Sequence, residues 1–192
     1  FFVFMFVGLL TLFFANDLSF YDECYGWIDT AGLKMSFALG VDGLSMLMVF
    51  LTSVTVFLVI LFSAAEKDRP NYFHTLILAM EVGLLGVYMA QDYFLFYIMW
   101  ELTLVPMYFM ISWYGGPRRH YAAIKFFIYT HVASLVMLIG IFALAFNAAA
   151  ITGGGYLADF SFAAVAAASP LFGTTFQILV FGLLFFGFAV KM

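Results

Sequence analysis

Apolar residues run almost unbroken through six stretches of the chain, roughly 1–15, 43–65, 72–90, 93–112, 123–146 and 175–192, with polar punctuation between them. A helix crosses the ~30 Å bilayer core in about 20 residues, so most of these runs have the length of a span. The first and last read as cut short. No run shows the one-sided apolar stripe of a soluble amphipathic helix. Nor do they alternate in segments of ~10 residues, as the strands of a membrane barrel do. The pattern predicts an all-α integral membrane protein with six partly truncated transmembrane helices. It forms a single transmembrane domain over 1–192, with outer loops at 16–42 and 147–174.

Composition agrees. Hydrophobic residues make up 66% of the 192 and charged ones only 9%, where a soluble domain carries about 25% charge. The charges sit in the loops and set an orientation. Loop 16–42 holds Asp17, Asp22, Glu23, Asp29 and Asp42 against Lys34 alone. Lys67 and Arg69 fall in the next connection, Gln91-Asp92 has no base, and Arg118 and Arg119 mark the hairpin 113–122. Basic residues in every second loop place 66–71 and 113–122 on the cytoplasmic side or its equivalent. Cys24 is the sole cysteine, which excludes an intrachain disulfide, a thiolate zinc site and a cysteine-held cluster. Gly153-Gly154-Gly155 is a loop triplet rather than a phosphate loop. No cofactor or nucleic acid is expected on this chain; its immediate partner is the lipid bilayer. The chain begins and stops inside apolar runs, which reads as a fragment of a longer protein.

The chemistry is therefore sought among the few polar residues inside the runs. An acid at the centre of a span costs on the order of 3 kcal/mol on insertion scales, so Glu101 needs a reason. Counted along its helix, it lies near the bilayer midplane, and Glu81 and His131 on the flanking helices fall at similar depth. Tyr97 and Tyr108 share a face with Glu101, and His74 and Tyr88 bracket Glu81 at seven residues either side. Pro106 lacks an N–H and disturbs the bond to the Leu102 carbonyl, leaving a polar group free for water or a side chain. Together these suggest a titratable layer in the membrane. The plainer alternatives are a structural acid satisfied by tyrosine for Glu101, and simple helix bridges for Glu81 and His131. Glu66, beside Lys67, Asp68 and Arg69, is a solvated cap or a surface proton collector. Lys191 falls at the inner interface by plain counting, or nearer the middle if its helix is interrupted.

These residues carry a resemblance. The stretches GVDGLSMLMVFLT, QDYFLFYIMWELTLVPMYFMISWYGG, RRHYAAIKFFIYT and FGFAVKM resemble the subunit M family of NADH:quinone oxidoreductase, the counterpart of mitochondrial complex I subunit 4. The similarity runs from Gly40 to Met192. It implies an antiporter-like, proton-translocating subunit built from inverted repeats, of which this chain holds half of one bundle. In that family the fifth-helix glutamate and the lysine at the end of an AVK triplet in the broken seventh helix form a functional pair, matching Glu101 and Lys191. The acid at the start of the preceding helix matches Glu66. His131 stands where the family often has a neutral polar group, and Glu81 receives no transferred role.

The resemblance also implies the setting. NADH, flavin, iron–sulfur clusters and quinone belong to other subunits of the complex, and the partners are neighbouring antiporter-like subunits of the membrane arm. The location is the bacterial cell (inner) membrane, or the mitochondrial inner membrane in a eukaryote. The alternatives are an Mrp-type cation/proton antiporter, a membrane-bound hydrogenase subunit, or a structural anchor with no proton role.

Overall fold

The computed structural model describes residues 22–30, 32–63, 69–152 and 158–191. The first apolar run, Glu66 and the Gly153–Gly155 triplet lie outside them. Four helical stretches among the described residues are long and apolar enough to cross a membrane, Gly43–Phe62, Pro70–Met89, Tyr93–Tyr114 and Arg119–Thr152. The chain is a multi-pass membrane protein of the helical type.

Local chemistry places the helix ends. α1 (Gly43–Phe62) is capped by Asp42, whose carboxylate accepts from the Ser45 N–H at 2.6 Å, the usual way of satisfying an orphan donor in a first turn. α2 (Pro70–Met89) opens on Pro70, with the left-handed Arg69 before it; proline suits the first turn because its missing N–H would lack a partner there anyway. The third span is two helices, α3 (Tyr93–Leu102) and α4 (Leu104–Tyr114), parted at Thr103. Pro106 lies four residues after Leu102, so the interruption falls where the missing N–H requires it.

α5 (Arg119–Thr152) has 34 residues and is ~51 Å long, well beyond the bilayer core. The apolar run 123–146 is its central part, and polar Arg119, His120 and Asn147 are carried at its ends. After it come a short helix α6 (Phe162–Ala168), a 3-10 turn at Ser169–Leu171, and α7 (Thr174–Ala189).

The outer connections differ from the sequence expectation. Residues assigned to loop 16–42 form a hairpin, β1 (Asp22–Thr30) and β2 (Leu33–Gly40), with Asp22 opposite Gly40 and Thr30 opposite Leu33. A two-residue strand β3 (Ala158–Asp159) joins β2 in parallel. Gly32, at φ 125° in the turn, supplies a backbone conformation that residues with a Cβ avoid. The acidic composition of this segment hid its strand character. Met35 and Ala38 are nonetheless buried, and Met35 joins Met137, Ile141, Ala158 and Phe160 in one core cluster beneath the sheet.

One buried carboxylate joins sheet to bundle. Asp92 is fully buried and accepts from Phe94 N at 2.8 Å and Leu95 N at 3.2 Å, capping α3, and from Ser36 N of β2 at 3.0 Å. Lys34 on β2 also pairs with Asp159 at 2.9 Å. The sheet and α6 sit together at the end of the bundle where α1 begins, α2 ends and α3 begins.

Candidate functional site

Close packing brings the polar side chains to one level. Gly187 on α7 lies so near α5 that an added Cβ would stand 2.5 Å from the Met137 Cβ and 3.3 Å from the Ala133 carbonyl oxygen. Gly83 on α2 is pressed against Thr103 in the same way, at 2.7 Å. The first contact holds the end of α7 beside the middle of α5; the second sets the α3–α4 break against α2.

At that level Glu101 meets His131. The His131 Nδ1 lies 2.8 Å from Glu101 Oε2, and their side chains are 41% and 18% exposed. The other carboxylate oxygen, Oε1, is buried without a hydrogen-bond partner. Counted from Asp92, Glu101 is ~13 Å into its span. The expected tyrosine partners are engaged elsewhere: Tyr97 packs in the core cluster with Met137 and Ile141, and the Tyr108 ring meets Phe127 edge-on at 5.6 Å. Periodicity along one helix offered Tyr97 and Tyr108, whereas the partner comes from a helix thirty residues away. A shared depth was the only sequence signal for His131.

Lys191 arrives from the other side. α7 stops at Ala189, and Val190 and Lys191 leave it in a turn. The ammonium then donates to the Trp100 carbonyl oxygen at 3.0 Å and stands 3.5 Å from Thr103 Oγ1. It also lies 4.1 Å from the centroid of the Trp100 ring. Thr103 Oγ1 donates to the same carbonyl at 2.8 Å. Of the two sequence readings for Lys191, inner interface or middle, the structure takes the middle. Plain counting missed this because α7 ends two residues before the lysine and the side chain turns back toward α3. No direct ion pair links Lys191 and Glu101 among the described residues; the adjacent Trp100 holds the amine instead.

Glu81 remains apart. It is 2% exposed, with Oε1 unpartnered, on the stripe Ile77–Glu81–Leu85 that α2 turns inward. Leu85, one turn on, packs against Met46 and Val49 of α1, and no hydrogen bond joins Glu81 to Glu101 or His131 among the described residues. His74 bonds the Pro70 carbonyl at 2.6 Å and approaches Ser63 Oγ at 3.3 Å, an arrangement at the helix start rather than a bracket for Glu81. Among the described residues no group of three or more His, Cys, Asp or Glu could hold a metal.

The chain can be set beside known proteins at this point. Residues 90–192, which include Glu101, His131 and Lys191, match the family described as NADH:quinone oxidoreductase/Mrp antiporter, TM. The F(420)H(2) dehydrogenase subunit M of Methanosarcina mazei is 47% identical over 137 residues, 71% of this chain and 27% of that protein. The NAD(P)H-quinone oxidoreductase chain 4 1 of Nostoc sp. is 45% identical over 130 residues, 68% of this chain and 24% of its own. The chain thus spans about a quarter of the length of these relatives. A chain of respiratory complex I from Thermus thermophilus superposes with TM-score 0.79 at 30% identity, covering 99% of this chain and 38% of that one. The Mrp complex from Dietzia sp. gives TM-score 0.80 at 17% identity, covering 99% and 20%, a likeness of fold alone. The chain belongs to the NADH:quinone oxidoreductase/Mrp antiporter transmembrane family.

Proposed function

We propose that this chain is part of a proton-translocating membrane-arm subunit of an NADH:quinone oxidoreductase-type complex, and that Glu101 and Lys191 are its working pair. The observation that carries this is the seating of the Lys191 ammonium on Trp100, 3.0 Å from its carbonyl oxygen, one residue from a carboxylate deep in the span. An amine and an acid so placed govern each other's charge. Drawing the ammonium away from the carboxylate forfeits their attraction, and the loss is relieved when a proton leaves the amine or joins the acid. Moving one charge against 100 mV costs about 2.3 kcal/mol, and a change in proton affinity of under about two pKa units supplies that much.

Quinone reduction elsewhere in the complex drives the separation, and the flavin, iron–sulfur clusters, NADH and quinone are held by other subunits. Neighbouring antiporter-like subunits are the partners, in a bacterial cell membrane or the mitochondrial inner membrane. Glu66, matched through the resemblance, supplies protons to the pair, and Glu81 is a reserve acid on α2.

The test is Glu101→Gln in the complete complex, measuring proton pumping and quinone-coupled turnover at normal assembly. Both fall under this reading; a structural anchor leaves both unchanged. The shared family and the fold likeness to an Mrp complex favour a cation/proton antiporter as the second reading, which would make transport sodium-dependent.

A further inference from the structure

Among the described residues His131 is the group that hydrogen-bonds the Glu101 carboxylate, and its position is unusual in two respects. Nδ1 is committed to Glu101 at 2.8 Å, while the side chain is 41% exposed. Among the described residues nothing bonds the opposite ring nitrogen, Nε2. The Phe127 ring, one turn earlier on α5, stacks on the imidazole at 5.6 Å and 13°, fixing the plane in which the two nitrogens face opposite ways. The ring therefore spans from the buried carboxylate to the outer face of α5.

The nearest residues on that face, Ile128 and Leu135, one turn to either side, are apolar and 57% and 43% exposed. A polar ring edge at this depth is costly against hydrocarbon, so Nε2 needs water or protein there. An imidazole bonded at one nitrogen and wet at the other is a proton relay by construction, because it gains a proton on one nitrogen as it releases one from the other.

We infer that His131 is a proton-relay residue that connects Glu101 to water at the exposed edge of α5. This inference rests on the proton-handling reading of Glu101. In the step, the Oε2–H bond of protonated Glu101 breaks and an Nδ1–H bond forms on neutral His131. The Nε2–H bond breaks and that proton passes to water. One proton has moved from carboxyl to water, and the Nδ1–H now bonds the carboxylate left behind. To regain its first tautomer the ring turns about Cβ–Cγ, Nε2 takes a proton from water as Nδ1 gives its own to water, and the ring turns back onto Glu101, with no net transfer. Among the described residues the titratable and charged groups around His131 are Glu101, which bonds it, Tyr97 and Lys191 near that carboxylate, Tyr108 against Phe127, and Lys125 and Tyr129 on α5 itself; α7, Thr174–Ala189, carries none. Among these groups only Glu101 hydrogen-bonds the ring, so it is the donor in this step.

The experiment uses the full subunit in the assembled complex, reconstituted in vesicles, with Glu101→Gln, His131→Ala and His131→Asn. The asparagine side chain keeps an N–H toward Glu101 but cannot pass a proton on. Both His131 variants are expected to pump at least about tenfold more slowly and to show an altered pH–rate profile. Added imidazole restores His131→Ala. Wild-type rates and an unchanged profile in His131→Asn would overturn the relay while leaving Glu101 in place, provided Glu101→Gln abolishes pumping. Full pumping by Glu101→Gln defeats the underlying reading itself. If neither His131 variant assembles, infrared spectra of the intact complex with ring-labelled histidine decide: a ring N–H band that changes during turnover supports the relay, and a constant one overturns it.

Discussion

Lys191 holds Trp100 twice, by a 3.0 Å hydrogen bond to its carbonyl oxygen and by lying 4.1 Å from the centroid of its indole. One residue thereby provides both a dipole and a π-face to an amine that has little other solvation at this depth. The ring is braced by Phe188, edge-on at 5.3 Å, and Phe96, stacked at 5.7 Å. Phe188 lies on the same helix that delivers the lysine. Movement at the end of α7 thus acts on amine and ring together.

Removing the π-face should free the amine while the carbonyl remains. A cation–π contact is worth from about 0.5 kcal/mol when exposed to about 2 kcal/mol when desolvated, so Trp100→Leu is expected to slow proton pumping by about two- to thirtyfold. Trp100→Phe, which keeps a weaker face, should fall between. Pumping rates in vesicles, normalised to assembled complex, check the order; equal rates for all three would mean that the carbonyl alone seats Lys191.

Asp92 is a structural carboxylate, and its removal should show in stability rather than transport chemistry. It accepts three backbone N–H groups, from Ser36, Phe94 and Leu95, while fully buried. Asp92→Ala strands all three, at a cost of about 2–4 kcal/mol. Asp92→Asn keeps one acceptor oxygen and should lose less. Unfolding midpoints in detergent measure the difference, and protease cleavage within 22–40 reports release of the hairpin.

The spans were legible because lipid imposes a plain requirement: about 20 apolar residues must follow one another, and Gly43–Phe62 or Pro70–Met89 can hardly be read otherwise. Glu101 was legible for the same reason, as an acid where acids are costly. The break at Thr103 followed from Pro106. What stayed hidden depends on contacts between helices. That His131 bonds Glu101, and that Lys191 reaches Trp100 rather than the interface, follows from the rotation and offset of α5 and α7. Those are fixed by close approaches at Gly187 and Gly140, which hydropathy does not register. The β-hairpin stayed hidden because its charges outweighed its period-2 pattern.

Gly187 and Gly182 make a matched pair on α7. A Cβ at Gly187 would meet the Met137 Cβ at 2.5 Å, a contact that neither helix can relieve with a side-chain swing, whereas a Cβ at Gly182 meets nothing within 4 Å. Gly187→Ala should cost about 1–3 kcal/mol by overpacking and displace Lys191, four residues on, from Trp100. Gly182→Ala should be silent or slightly stabilising, since alanine favours helix over glycine. Thermal stability and pumping measured on both variants test this, and equal effects would deny that the α5–α7 approach positions the lysine.

The Lys34–Asp159 pair gives the outer sheet its own pH window. The hydrogen bond and charge of Asp159 hold the Lys34 amine above its ordinary range. Burial pushes the Asp159 carboxyl up, but the Ser161 N–H and the Lys34 ammonium together outweigh it and hold the group below the usual carboxylate value. The acid's contribution is present above its unfolded value and disappears as pH falls through the depressed folded one; the lysine's is present below its unfolded value and disappears as pH rises through the raised folded one. The pair therefore holds β3 to β2 across the neutral range and releases it at both extremes. With Lys34 about half exposed, the pair is worth no more than about 1 kcal/mol, so bundle stability should hardly change. The signal is local: amide exchange at Ala158 and Phe160, whose N–H groups bond the Gly32 and Lys34 carbonyls, should quicken up to about fivefold in Asp159→Asn at pH 7 beyond the intrinsic rate. Once the pH has fallen below the depressed folded value of Asp159, the variant and the native chain should converge. A difference that persists in acid would assign the effect to the Ser161 hydrogen bond instead of the ion pair.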